Sequence, residues 1–250
     1  MIIDSHMHLP VNYQNFALKK KALLREMRNN GVDRGIIIAD SELESVIGSV
    51  RECMELFNGD SVIKVVAGIS PFISFDNQLN YCRGLLRNGD IIGLKLYTGH
   101  ENFYCTDSVL FPVYDLASEF HVPVLFHTGW DKPHYAAPEK IRKLAKIRND
   151  TVFVYCHCNY PEIDRCFEVL GDCENVYFDT SSIADDPEKL PQIRNSLEKA
   201  IKLMPERFLF GSDFGSCSQE AHLSFAESLG ISNEHRELFM HYNSEYVYRL

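Results

Sequence analysis

The chain has 250 residues, 45% of them hydrophobic and 24% charged, an ordinary globular composition with enough apolar material for one large core. Its 35 acidic residues outnumber 25 basic ones, and a formal charge of −10 repels phosphate backbones, which argues against a nucleic-acid partner. No uninterrupted apolar stretch approaches the ~20 residues needed to cross a bilayer. Met1 runs straight into Ile2-Ile3-Asp4-Ser5-His6 without a basic and apolar leader, so a cytoplasmic protein with no membrane contact is expected.

In chain order, one unit repeats: a short apolar run, a polar loop, then an amphipathic helical stretch. The runs are Ile2–Ser5, Gly35–Ala39, Ile63–Ile69, Ile91–Leu96, Val122–Phe126, Val152–Cys156, Val176–Asp179 and Phe208–Gly211. They are rich in Val, Ile and Phe and mostly lack polar alternation, as parallel strands buried on both faces do. Between them, Asn15–Asn30 sets Leu18, Leu23, Leu24 and Met27 at helical spacing, with Gly31 as the stop. Glu42–Phe57, Ser108–Phe120, Pro138–Arg148 and Pro187–Met204 read as helices in the same way. No low-complexity linker interrupts the series, so residues 1–250 are expected to form a single α/β domain. The expected fold is a single (β/α)8 TIM barrel, with an open doubly wound sheet as the alternative.

The polar residues that interrupt the apolar runs fall at one end of them, the C-terminal end, where barrels of this kind build their sites. Asp4, His6 and His8 alternate along the first run and should share one face, with Ser5 and Met7 on the other. The fifth run ends at His127, the sixth at His157 and the eighth at Asp213. Taken alone, each reads equally well as a loop or capping residue, with Asp213 as a helix N-cap. Five such residues at strand ends, in barrel order, point instead to a divalent cation held by imidazole and carboxylate. Such an ion lowers the pKa of water in an open coordination position towards ~7, and a neighbouring carboxylate can take that water's proton.

The eight cysteines sit in a long chain without a secretory leader, so reduced and mostly buried thiols are expected. Cys156 and Cys158 flank His157; if the strand runs through Cys158, both thiols point away from the imidazole.

The set His6-x-His8, Gly93-Leu94-Lys95-Leu96, His127-Thr128-Gly129, His157, Asn175–Ser182 and Gly211-Ser212-Asp213-Phe214 resembles the amidohydrolase-related family of the amidohydrolase superfamily. That family includes the aminocarboxymuconate-semialdehyde decarboxylase-like metal-dependent enzymes. The similarity runs from His6 to the C-terminus, where Asn243 resembles the family's closing Asn segment. The resemblance implies His6, His8, His127 and Asp213 as metal ligands and His157 as a second ligand or the residue that orients the water. Zn²⁺ is the expected cofactor, one ion rather than two. Lys95 matches the position at which binuclear relatives carry a bridging carbamylated lysine; otherwise it is an ammonium facing substrate or Asp213. Cys158-Asn159, Gly215 and Tyr97 depart from the family pattern, which leaves substrate analogy open. By location alone, Tyr97, His100, Trp130, His134 and Asn159 are pocket candidates.

The expected activity is hydrolysis of a C–N or C–O bond (amide, lactone or ester) in a small molecule, with Asp213 and His157 as catalytic residues. The alternative is non-oxidative decarboxylation of an aromatic or unsaturated acid. The short first loop, Leu9 to about Gln14, offers little material for a substrate lid and tilts the reading towards hydrolysis. A TatD-like nuclease fits less well, since Lys95 stands where those enzymes carry a Glu. A metal-binding protein without catalysis would be expected to have lost part of the ligand set. Family analogy adds the expectation of a homodimer.

Overall fold

A computed structural model of the chain describes residues 1–13, 15–130 and 132–250; Gln14, taken above as the end of the first loop, lies outside them. Eight strands form one all-parallel sheet in sequential order: β1 (Ile3–Met7), β2 (Arg34–Ile38), β3 (Ile63–Gly68), β4 (Leu94–Leu96), β5 (Val124–Phe126), β6 (Phe153–Cys156), β7 (Val176–Asp179) and β8 (Phe208–Leu209). Beyond β8 the chain bends back on the first strand. Ser5 N donates to Phe210 O at 2.9 Å and Asp213 N to His6 O at 2.8 Å, and Met7 bridges Phe214. Sequential order with first-to-last contact is a (β/α)8 barrel, whereas a doubly wound sheet reverses its order midway.

Helices α1 (Phe16–Asn29), α2 (Val50–Phe57), α3 (Phe75–Asn88), α4 (Phe111–Phe120), α5 (Pro138–Ile147), α6 (Ile163–Leu170), α7 (Leu190–Leu203) and α8 (Gln219–Glu227) follow the strands in turn. Two short helices, α9 (Asn233–Glu237) and α10 (Asn243–Tyr248), end the chain. The expected helix over Glu42–Phe57 is half its predicted length. Ser49 and Glu52 form a reciprocal capping box that starts α2 at Val50, and Gly48 takes a left-handed φ of 92° just before it. Residues 41–48 are loop instead, held by Asp40, whose carboxylate accepts from the Ser45 hydroxyl at 2.6 Å. Helix α3 has no counterpart in the periodicity reading, because Asn77, Asn80 and Gly84 dilute its signal; it buries only Cys82 and Leu86.

Two apolar layers hold the barrel. The larger lies between strands and helices and includes Met7, Leu23, Leu94, Phe126, Phe153 and Phe178. The inner layer joins Ile36, Ile38, Val66, Leu125, Val154, Cys156, Tyr177 and Leu209, with Val247 and Tyr248 entering from α10. Asn243 fixes that last helix by donating to Pro205 O and Phe208 O, both at 2.8 Å, at the start of β8. This gives the closing Asn segment a structural task.

β1 departs from simple alternation. Its register against β2 shifts between Asp4 and Met7, so the strand carries a bulge. Asp4 therefore does not share the face of His6 and His8. It accepts from Ser212 N and from Gln219 Nε2, which also lies 3.4 Å from Met7 Sδ in the outer layer.

Phe178 is fully buried, stacked on Phe208 at 5.2 Å and edge-on to Phe167 at 5.2 Å. Phe178→Ala should lower unfolding stability by about 3–5 kcal/mol in urea titration, the usual cost of emptying an aromatic core site.

Candidate metal centre

The bulge in β1 delivers His6 and His8 to the C-terminal mouth of the barrel. Ile38 O can only accept, so the 2.8 Å contact requires His8 Nδ1 to carry the proton. His6 Nδ1 lies 2.5 Å from Asp179 Oδ2 and is fixed in the same tautomer. Both Nε2 atoms therefore present lone pairs. They face Asp213 Oδ1, at 3.7 Å from His6 and 3.2 Å from His8. Asp213 Oδ1 is buried and has no hydrogen-bond partner. A bare carboxylate oxygen facing two bare imidazole nitrogens is unfavourable unless a cation lies between them. Among the described residues, the ligand atoms of His6, His8 and Asp213 lie within 4.8 Å of one another, so the residues present fit a divalent ion.

His127 and His157 form the other side of the floor. The strand β6 stops at Cys156, and His157, Cys158 and Asn159 are all left-handed, with φ of 63°, 49° and 59°. Three such residues in a row cost conformational energy and turn the His157 ring into the mouth. Strand alternation therefore does not separate Cys156 from His157. Cys156 belongs to the inner layer, its Sγ 3.1 Å from Lys95 Nζ, while Cys158 packs in the outer layer. His157 Nε2 meets His127 Nδ1 at 3.2 Å, and the His127 ring lies against His100 with centroids 4.1 Å apart. His127 thus borders the His6–His8–Asp213 group without belonging to it. Lys95, only 1% exposed, pairs with the Cys156 thiol rather than with Asp213.

A pocket of about 560 Å³ opens above these residues. Tyr97, His100 and Trp130 line it, as the sequence suggests. His134 and Asn159 do not. His134 is exposed and packs on Tyr135 at 4.3 Å, and Asn159 is buried, 3.3 Å from the Tyr155 hydroxyl. The left-handed turn at 157–159 draws Asn159 away from the mouth. The sequence reading missed Asp40, the 41–47 loop, Glu101 and Asp179. Asp40 and Asp179 directly end apolar runs, the same signal that singled out His127. The 41–47 loop, hidden inside an expected helix, forms the wall that the first loop does not provide.

Burial pushes the protonation of His6, His127 and His157 down, His157 to about 3. Burial pushes the Asp213 carboxyl up, but the neighbouring imidazoles of His8, His6 and His157 outweigh it and hold it well below the usual range. Asp179, opposed by burial in the same way, is drawn to about 2 by His6. At neutral pH the centre therefore suits a metal, with the His6, His127 and His157 imidazoles neutral and the Asp179 and Asp213 carboxylates ionised.

The metal-free protein should lose stability as pH falls from 6.5 towards 4. In that window the unfolded histidines, with an ordinary value of 6.5, bind protons that the folded ones refuse. Each contributes up to about 1.4 kcal/mol per pH unit. Asp4, raised by burial to about 7 from 3.8, works in the opposite direction and offsets one of the three. Urea midpoints of chelator-treated protein at pH 7 and pH 5 check this; equal midpoints would contradict it.

The family model described as amidohydrolase matches residues 77–250. No curated protein sequence matches. Among solved structures, an uncharacterized TIM-barrel protein from Bordetella bronchiseptica superposes with a TM-score of 0.76 at 19% identity, covering 98% of this chain and 97% of that one. The 4-oxalomesaconate hydratase of Rhodopseudomonas palustris gives 0.69 at 15% identity, covering 100% and 96%. A dihydroxybenzoic acid decarboxylase from a Polaromonas species, with bound manganese and an inhibitor, gives 0.67 at 13% identity, covering 100% and 97%. At these identities the structures establish the shared barrel, while the sequence match covers well over half the chain: it belongs to the amidohydrolase family.

Proposed function

We propose that the protein is a metal-dependent hydrolase that cleaves a C–N or C–O bond, in an amide, lactone or ester, of a small molecule. The observation that carries this reading is the unpartnered Asp213 Oδ1 facing His6 and His8 on the pocket floor. One divalent ion, Zn²⁺ as the first choice, would be held by His6, His8 and Asp213, with His127 bordering the group and completing the set that the family resemblance implies. When bound, such an ion supplies Lewis acidity and makes water a nucleophile at neutral pH.

The rest of the reaction falls to the chain's own residues. Asp213 is ionised and accepts a proton from the attacking water, then returns it to the leaving nitrogen or oxygen. His157 is neutral and offers Nε2 at the floor, where it orients that water. Tyr97 and Trp130 provide an apolar wall against which a substrate body packs and sheds water.

Hydrolysis is preferred to decarboxylation on the charge of the pocket. Among the described lining residues Lys95 is the one lysine and no arginine occurs, against the carboxylates of Asp40, Glu42, Glu101 and Asp213. An anionic acid entering there meets more like charge than countercharge; a neutral amide, lactone or ester does not. No described helix is long and apolar enough to span a membrane, and we read the protein as a cytoplasmic enzyme of small-molecule metabolism.

Elemental analysis of protein purified without added metal should find about one Zn²⁺ or similar ion per chain, lost in a His6→Ala/His8→Ala variant. The metal-loaded protein should then hydrolyse a member of an amide, lactone and ester panel, and Asp213→Asn should reduce that rate by at least about 100-fold. Two ions per chain would indicate a carbamylated, bridging Lys95. Carbon dioxide release from a 2-hydroxybenzoate, without hydrolysis anywhere in the panel, would establish the decarboxylase instead.

A further inference from the structure

The strand β7 supplies none of the four ligands that the resemblance implies, yet its last residue, Asp179, lies within reach of the His6 and Cys156 ligand atoms, and its end touches two imidazoles of the centre. Asp179, 1% exposed, spends both carboxylate oxygens: Oδ2 lies 2.5 Å from His6 Nδ1, and Oδ1 accepts from Ser181 N at 2.8 Å. Ser181, fully buried, places its hydroxyl 3.1 Å from His6 Nδ1 and 2.9 Å from His157 Nδ1. Its carbonyl lies 3.1 Å from the same His157 nitrogen. Every neighbour of these two Nδ1 atoms can accept a proton, and two of them, the Asp179 carboxylate and the Ser181 carbonyl, can do nothing else.

The space for this arrangement is made just beyond β8. A Cβ on Gly211 would lie 2.6 Å from Asp179 Oδ1 and 2.9 Å from His6 Cβ. Only glycine lets the carboxylate and the imidazole stand side by side there.

We propose that Asp179 and Ser181 are positioning residues that fix His6 and His157 with the proton on Nδ1, so that both rings turn an unprotonated Nε2 towards the metal centre. This rests on the reading of His6 as a metal ligand. A carboxylate behind a ligating imidazole fixes its tautomer and raises its basicity, and removing one typically weakens metal affinity by 10–100-fold. Asp179 at the end of β7 and Ser181 just beyond it divide the work unequally. His6 has one acceptor that is obligatory, Asp179, whereas His157 keeps the Ser181 carbonyl whatever the side chain at that position.

The test uses Zn²⁺ alone, titrated against a chromophoric chelator, with circular dichroism melts of each metal-free variant as the control on folding. Asp179→Asn keeps the volume and the acceptor for Ser181 N but removes the charge; its Zn²⁺ affinity should fall about 10–100-fold. Ser181→Ala should show a smaller loss, because it removes a neutral hydroxyl and leaves the carbonyl in place. A folded Asp179→Asn with wild-type affinity, while the wild type binds Zn²⁺, would overturn the proposal and leave the metal reading intact. A wild type that binds no Zn²⁺ would overturn both. Long-range proton–nitrogen spectra of histidine-labelled, metal-free wild type supply a readout that needs no variant of β7, with His6→Ala and His157→Ala assigning the signals. Both rings should appear as the Nδ1–H tautomer; an Nε2–H tautomer at either would refute the assignment.

Discussion

Asp213 N donates to His6 O at 2.8 Å, and this bond joins the segment after the last strand to the first strand of the barrel. Three of the residues that converge at the pocket floor, His6, His8 and Asp213, come from the two sides of that junction. A chain that had not closed would hold two isolated histidines near one end and an aspartate near the other. Closure therefore creates the ligand group and the fold in the same event, which is how metal affinity becomes linked to folding in small centres. The β1 bulge belongs to this junction: it breaks the alternation so that His6 and His8 enter the mouth while Asp4 backs against Ser212 and Gln219.

The electrostatics follow from that enclosure. Imidazoles brought together in a dry floor cannot remain charged, and Lys95 close by disfavours their protonation further. The carboxylates respond in the opposite sense, since each faces imidazole rather than another acid. The resulting set is what a divalent ion requires of its ligands. The same enclosure makes the metal-free state costly, because it leaves lone pairs facing one another with nothing between them.

Much of this was legible in the sequence because parallel barrel strands are buried on both faces. Their residues are apolar almost throughout, so His127, His157 and Asp213 stand out as punctuation at their ends. Asp40 and Asp179 carry the same mark and could have been read by the same rule. Other features leave no such trace. The left-handed run at 157–159 is signalled only weakly, by the tolerance of His and Asn for positive φ, and it decides that His157 faces inward and Asn159 does not. The β1 bulge is a matter of pairing between strands, invisible in either strand alone. The loop at 41–48 hides in residues whose apolar spacing suits a helix; the Ser49–Glu52 capping box was the available signal that the helix begins later.

Trp130 is the only tryptophan in the sequence, and it sits on the pocket wall, 42% exposed, its ring 4.6 Å from that of Tyr160. Indole emission depends on local polarity and on contact with quenching groups. The molecule's entire tryptophan fluorescence thus originates at the entrance to its own candidate site. Without any label, ultraviolet light absorbed at the red edge of the protein spectrum reports on whatever enters or leaves that pocket.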